Sequence, residues 1–145
     1  MAPEFIELSV VTPERQLLRE SVVEVVLPGA KGEIGVLPGH APLMTELGIG
    51  ELTYRKEGAA PTGGITVIQG FAEILGNRVT VLAETAERAA EIDLVRAEAA
   101  KARAEKKLTS GDANIDWDRA VVALQRALIR IQVARKRQGA PSGNH

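Results

Sequence analysis

At 145 residues, 45% hydrophobic and 26% charged, the chain has room for one ordinary domain, or a small domain with an appendage, and enough apolar content to bury a core. A formal charge of −1 argues against nucleic-acid binding driven by bulk positive charge, and the lack of cysteine excludes a disulfide scaffold, a cysteine-ligated metal and a cysteine nucleophile. Only His40 and His145 offer imidazole, too few for a catalytic or metal-binding histidine cluster.

The total charge hides an asymmetry. Residues 1–83 carry 6 basic and 10 acidic side chains, net −4, whereas residues 84–145 carry 12 and 9, net +3. Glycine and proline divide the chain at the same place: 11 of 14 glycines and six of seven prolines precede Ala83. The first half is cut into short pieces and the second is built to run on. The chain start has no basic region followed by an apolar run, and no apolar stretch approaches the roughly 18 residues of a membrane span, so no direct membrane insertion is expected.

In chain order, Phe5–Val11, Val22–Leu27, Ile65–Ile68 and Arg78–Leu82 have strand length, β-branched content and partial alternation. Turn signals separate them at Thr12-Pro13, Pro28-Gly29, Pro38-Gly39, Gly48-Ile49-Gly50, Gly63-Gly64 and Gly76-Asn77. This spacing predicts an antiparallel β-sandwich or flattened barrel of eight to ten strands over residues 1–86. From about Glu87 to Leu108 the chain is alanine-rich and helical in propensity, with Asp93 placed to cap. Thr109–Asn114 reads as a turn. A second helix begins after Asp116 and runs to about Arg137, with Val121, Leu124, Leu128 and Ile131 at helical spacing. Residues 87–138 are therefore expected to form an antiparallel two-helix hairpin, and residues 139–145 a flexible tail with no assigned role.

Three features bear on function. The glycine-rich segment Gly29–Gly35 lacks the Gly-Lys-Ser/Thr ending of a phosphate-binding loop and leads into another strand, so it reads as tight turns. His40, between Pro38 and Pro42, has no acid, base or nucleophile nearby in sequence and reads as structural or interfacial. In the second half, at about 100° per residue, Arg119, Arg126, Arg130 and Arg137 fall on one line of their helix, and Arg96, Arg103 and Lys107 on one line of theirs. Such lines are either solvated faces or, on paired helices, a clamp for phosphates or an acidic partner. The Ile92-Asp93-Leu94-Val95-Arg96-Ala97 stretch by itself reads as a cap plus an intrahelical ion pair. No catalytic or metal-ligating constellation is found.

Over essentially its whole length the chain resembles the epsilon subunit of the bacterial F-type ATP synthase. The segments that carry the resemblance are Gly32-Glu33-Ile34-Gly35-Val36-Leu37-Pro38-Gly39-His40-Ala41-Pro42-Leu43, Gly70-Phe71-Ala72-Glu73-Ile74 and Asn77-Arg78-Val79-Thr80-Val81-Leu82-Ala83-Glu84-Thr85-Ala86. The resemblance implies a non-catalytic rotor subunit of a proton-driven ATP synthase, peripheral on the cytoplasmic side of a bacterial inner or plasma membrane. Its sandwich would bind the central-stalk gamma subunit and the c-subunit ring, with Glu33 at the ring contact and His40 close to the stalk interface. Its hairpin would move. Extended into the head of alpha and beta subunits it would block ATP hydrolysis, with Arg126, Arg130 and Arg137 meeting acidic loops; folded down it would release the enzyme. The stretch Ile92, Asp93, Arg96 and Ala97 is also similar to an ATP-binding motif of some members, with Glu87, Arg103, Arg126 and Arg130 at the supporting positions. ATP would then be a regulatory ligand, and no cofactor is required. The rival expectation is a free-standing ligand-binding sandwich whose hairpin is a dimerisation arm.

Overall fold

The chain alternates extended and turn segments up to Arg88 and is helical after it. The computed structural model describes residues 5–139, and side chains to 136 except at position 63. Of the expected tail at 139–145, Gly139 belongs to the last turn of the second helix and the remainder lies outside the described residues, as does the side chain of Arg137. The strands are β1 (Ile6–Val11), β2 (Gln16–Val22), β3 (Glu24–Gly29), β4 (Gly32–Val36), β5 (Leu43–Arg55), β6 (Pro61–Leu75) and β7 (Arg78–Arg88). A single 3₁₀ turn, Ala89–Glu91, precedes α1 (Leu94–Thr109) and α2 (Trp117–Gly139). Two compact units meet at Arg88/Ala89.

In the first unit the strands hydrogen-bond in the order β2-β1-β7-β6-β5-β3-β4. Every pairing is antiparallel except β1 with β7, which run parallel. The ladder breaks at one corner. Leu47 pairs with Gly70 and Ile49 with Ile68, while Gly70 pairs with Ala83 and Ile68 with Thr85, so the register skips Gly48, Gln69 and Glu84. At this corner Gln69 has φ 59°, the only positive φ of a non-glycine among the described residues, and Gly70 has φ 135°. An alanine at Gly70 would also drive its Cβ into the Leu82 carbonyl oxygen. The glycine there is required by both conformation and space.

The corner turns one hydrogen-bonded sheet into two facing layers. β2, β1 and residues 78–83, 70–75 and 43–47 form one; β4, β3 and residues 49–55, 61–68 and 85–88 form the other. Alternate side chains of both meet in one core that includes Leu8, Val10, Ala72 and Val81 from the first layer and Val25, Leu27, Leu52 and Val67 from the second. The eight to ten short strands expected from sequence are thus seven continuous ones, three of which serve both layers. Gly48-Ile49-Gly50 and Gly63-Gly64 are not turns, as expected, but lie inside β5 and β6. Gly50 lets Pro28 approach, since a Cβ would stand 2.6 Å from that of Pro28, and Gly64 leaves room for the Glu51 side chain. A glycine kept for close approach and one kept for a turn read alike in sequence.

In the second unit, α1 starts at Leu94, later than the expected Glu87, because β7 continues its pairing to Arg88. Asp93 caps it, its side chain accepting the Arg96 N–H at 3.1 Å, and Asp116 accepts the Arg119 N–H at 3.1 Å at the start of α2. The helices meet along alanines seven residues apart, Ala97 and Ala104 on α1 and Ala120 and Ala127 on α2, all buried. Small side chains let the backbones approach closely. Leu128, expected on the apolar face, is 44% exposed, and Val121 and Leu124 are half-buried. The seam is mostly alanine, and of the larger residues Ile131, expected on the apolar face, and Val133 are buried while Val121, Leu124 and Leu128 are more exposed.

Candidate functional site

Two surfaces stand out as candidate sites, one in each unit. On the β unit, the outer face of the first layer is unusually apolar. Strand alternation turns Ala72, Ile74, Val81 and Ala83 inward and so must turn Phe71, Leu75 and Leu82 outward. Phe71, Leu82 and Met44 are 54%, 55% and 66% exposed. The register sets Glu46, Phe71, Leu82 and Val11 in one row across β5, β6, β7 and β1, and Met44, Glu73, Thr80 and Ser9 in the next. Directly opposed side chains stand about 5 Å apart, so Phe71 and Leu82 form one apolar surface. Clustered large apolar groups in water mark an interaction face. Sequence reading missed these residues, although runs such as Val79-Thr80-Val81-Leu82-Ala83, apolar on both parities near their end, carried a signal.

The predicted loop residues lie near the turns. Glu33 is exposed on β4 just past the Ala30-Lys31 turn, and lines an open cleft of about 440 Å³ with Lys31, Met44, Thr45 and Glu46. The Ala30 N–H donates to the Glu46 carbonyl at 2.9 Å, which ties this turn to β5. His40 is half-buried and lines a separate cleft of about 410 Å³ with Gly39, Pro42, Gly76 and Asn77. Its backbone N–H closes a turn on the Leu37 carbonyl at 3.1 Å, and its Nδ1 lies 2.6 Å from the Ala41 carbonyl. A carbonyl oxygen can only accept, so in that contact Nδ1 carries the proton. Glu33 and His40 therefore do not share one cleft.

On the helical unit, the arrangement of charge follows from the seam. On α1, Arg96, Arg103 and Lys107 stand about a quarter turn from the line of Ala97 and Ala104; on α2, Arg119, Arg126 and Arg130 stand about a quarter turn from Ala120 and Ala127. Because the helices are antiparallel and both right-handed, the two quarter turns lead to the same side of the hairpin. The opposite side is marked by the ion pair of Glu98 on α1 with Arg135 on α2, N···O 2.5 Å, and by Trp117, Val121, Leu124 and Leu128. The hairpin thus has a basic side and an apolar side. Arg96 and Arg103 are exposed, Arg126 and Arg130 half-buried, and the Arg126 Nε is buried without a hydrogen-bond partner.

Of the other residues predicted for a nucleotide site, Ile92 is half-buried ahead of α1, Asp93 is engaged as the helix cap, and Ala97 belongs to the seam. Glu87 is not on the helical unit, as the expected helix start had it, but on β7, where the buried Thr66 hydroxyl lies 3.4 Å from its carboxylate. Among the described residues no group of three or more His, Asp or Glu side chains is placed to hold a metal ion, and no helix is long and apolar enough to cross a membrane.

Comparison with known proteins gives consistent findings over both units. The family model described as "ATP synthase, Delta/Epsilon chain, beta-sandwich domain" matches residues 5–89, and "ATP synthase, Delta/Epsilon chain, long alpha-helix domain" matches residues 90–135. The chain is 46% identical over 133 residues to the ATP synthase epsilon chain of Syntrophobacter fumaroxidans, covering 92% of this chain and 98% of that one. It is 51% identical over 136 residues to that of Geobacter sp. strain M21, covering 92% and 96%. Among solved structures, a chain of the Euglena gracilis mitochondrial ATP synthase (OSCP/F1/c-ring, rotational state 1) superposes with a TM-score of 0.70 at 25% identity, covering 97% of this chain and 83% of that one. A chain of the Tetrahymena thermophila mitochondrial ATP synthase central stalk and c-ring shares the fold, with a TM-score of 0.57 at 12% identity.

Proposed function

The chain belongs to the ATP synthase delta/epsilon family, and from that premise we propose that it is the non-catalytic rotor subunit that docks its β unit on the gamma subunit and the c-subunit ring. The observation that carries the proposal is the exposed row of Phe71 and Leu82 beside Met44, a surface suited to burial against a protein partner. Glu33, on β4 in the cleft it shares with Met44 and Glu46, and His40, in a turn, are the residues we assign to the ring contact and the edge of the stalk contact. Association with a bacterial inner or plasma membrane, on its cytoplasmic side, then comes through the assembled proton-translocating complex. Co-purification from the source cell tests this: the stalk and head should come down with the chain, and a Phe71→Ser variant should lose them. A stable homodimer with no stalk partner would refute the proposal and favour the dimerisation-arm reading.

We further propose that the hairpin regulates the direction of the enzyme. Its basic side has two uses. Extended, Arg126, Arg130 and Arg137 meet acidic loops of the alpha and beta subunits and hold hydrolysis off. Folded, Arg103, Arg126 and Arg130 hold the phosphates of ATP, and the Ile92–Ala97 segment contacts the rest of the nucleotide. Planar guanidiniums suit both tasks because each forms paired, charge-assisted hydrogen bonds to carboxylate or phosphate. ATP bound to the folded state alone stabilises it by RT ln(1 + [ATP]/Kd), about 2.7 kcal/mol at a hundredfold excess over Kd. Calorimetry of the isolated chain tests the nucleotide half: heat of binding should be seen at millimolar ATP and be lost in Arg126→Ala, and no heat in the wild type ends the idea. Unchanged hydrolysis by an enzyme reassembled with alanine at Arg126, Arg130 and Arg137 would refute the inhibitory half.

A further inference from the structure

The outer apolar face of the β unit is bordered by charge in an uneven way. Glu46 stands directly opposite Phe71 on β5, and Glu73 lies two residues along β6 on the same face, opposite Met44 on one side and Thr80 on the other. Both are exposed, and neither carboxylate makes an ion pair among the described residues. Glu7, further along the same layer, is neutralised by Arg19 at 2.5 Å. Of the cations near the patch, Lys31 shares the open cleft of Met44 and Glu46 without pairing with a carboxylate among the described residues, and Arg78 sits opposite Leu75 at the far end of the face, in register with Glu7 and a full alternation beyond Thr80. The apolar pair Phe71 and Leu82 therefore has two unneutralised carboxylates on its β5–β6 flank and a guanidinium at its far end.

We propose that Glu46 and Glu73 are the specificity determinants of this face: they select a protein surface whose apolar projection is rimmed by Lys or Arg, and they fix the orientation in which it docks. The inference rests on the stalk-docking reading above and names the recognition chemistry of that same surface. Carboxylates on the rim of an apolar contact remain partly wet, so they add little to final affinity. They act instead on encounter rate, on rejection of wrong partners and on register. An acidic flank also weighs against the other occupants of an exposed apolar face. A phosphate-bearing surface, whether lipid or nucleic acid, is repelled by it, and a second copy docking through the same face would set carboxylate against carboxylate.

The test measures association of the full-length chain with its gamma subunit by stopped-flow, at about 50 mM and about 500 mM salt, where screening changes most. In the Glu46→Gln/Glu73→Gln double variant the association rate should fall about tenfold at low salt and match the wild type at high salt, with the dissociation rate nearly unchanged. In Glu46→Lys/Glu73→Lys the salt dependence should reverse, so that added salt speeds association, a result no structural defect produces. Glu57→Gln, in an exposed turn away from the face, should behave as the wild type. A double Gln variant with the wild-type rate and salt slope overturns the inference and leaves the docking reading standing. Failure of the wild-type chain to bind gamma at either salt overturns both.

Discussion

Three glycines of the β unit differ in what the fold asks of them, and replacing each by alanine should separate conformational from steric cost. Gly35 has no positive φ and open space around a built Cβ, so Gly35→Ala should leave stability unchanged or raise it slightly by stiffening the unfolded chain. Gly58 has φ 70° with nothing within 4 Å, so alanine there incurs only the left-handed backbone penalty of about 1 kcal/mol. Gly70 has φ 135°, a region costing about 1–3 kcal/mol for a side-chain-bearing residue, and its Cβ would collide with the Leu82 carbonyl oxygen and stand 2.8 Å from the Ala83 Cα. Neither atom can retreat without opening the β6–β7 ladder at the Gly70–Ala83 pair. The combined cost is about 3 kcal/mol or more. For a unit of this size each kcal/mol moves Tm by about 4–8 °C, so calorimetric melts should show a fall of about 4–8 °C for Gly58→Ala and about 12–24 °C for Gly70→Ala. Because the corner also aims Phe71 outward, Gly70→Ala should weaken gamma binding and Gly58→Ala should not. A Gly70→Ala melt within about 5 °C of the wild type, or a larger fall for Gly58→Ala, would refute the account of the corner.

The hairpin offers two smaller tests. Asp93→Ala removes the α1 cap and should lower the stability of the helical unit by about 1 kcal/mol, while Asp93→Asn, which still accepts from the Arg96 N–H, should retain most of it in denaturant titrations followed by circular dichroism. The Glu98–Arg135 pair is more than two-fifths exposed on both sides, so a double-mutant cycle to alanine should give a coupling of about 0.2–1 kcal/mol that fades as salt is added.

Sequence and structure agree best where one local rule acts alone. Asp93 and Asp116 cap the helices they were expected to cap, because capping needs only an acceptor side chain ahead of a helical run. The rule is weaker where a residue type serves two purposes. Gly48, Gly50 and Gly64 looked like turns but sit inside strands, and at Gly50 and Gly64 the glycine lets a segment distant in sequence approach, Pro28 and Glu51 respectively. The late start of α1 has the same origin: alanine and glutamate favour helix from Glu87 onward, but pairing of β7 with β6 through the Ile65–Arg88 pair holds those residues extended. Tertiary pairing overrides propensity at that boundary. The exposed apolar face, proposed above as the docking surface, was hidden for another reason. Phe71 and Leu82 read as core by residue type, and only the parity of their strands places them outside.

The arginine lines show how much a sequence can give once one packing fact is known. Spacing alone puts Arg119, Arg126 and Arg130 on one line of α2 and Arg96, Arg103 and Lys107 on one line of α1, but it cannot say whether the lines share a side. The alanine seam supplies the missing reference, and the Glu98–Arg135 pair fixes the opposite side independently. With both lines on one side, the hairpin presents a single cationic surface of limited extent. The two anionic partners proposed for Arg126 and Arg130 must then exclude each other, so a ligand of one proposed hairpin state opposes the other by its differential binding free energy. Regulation by competition for one surface needs no second site and no catalytic group.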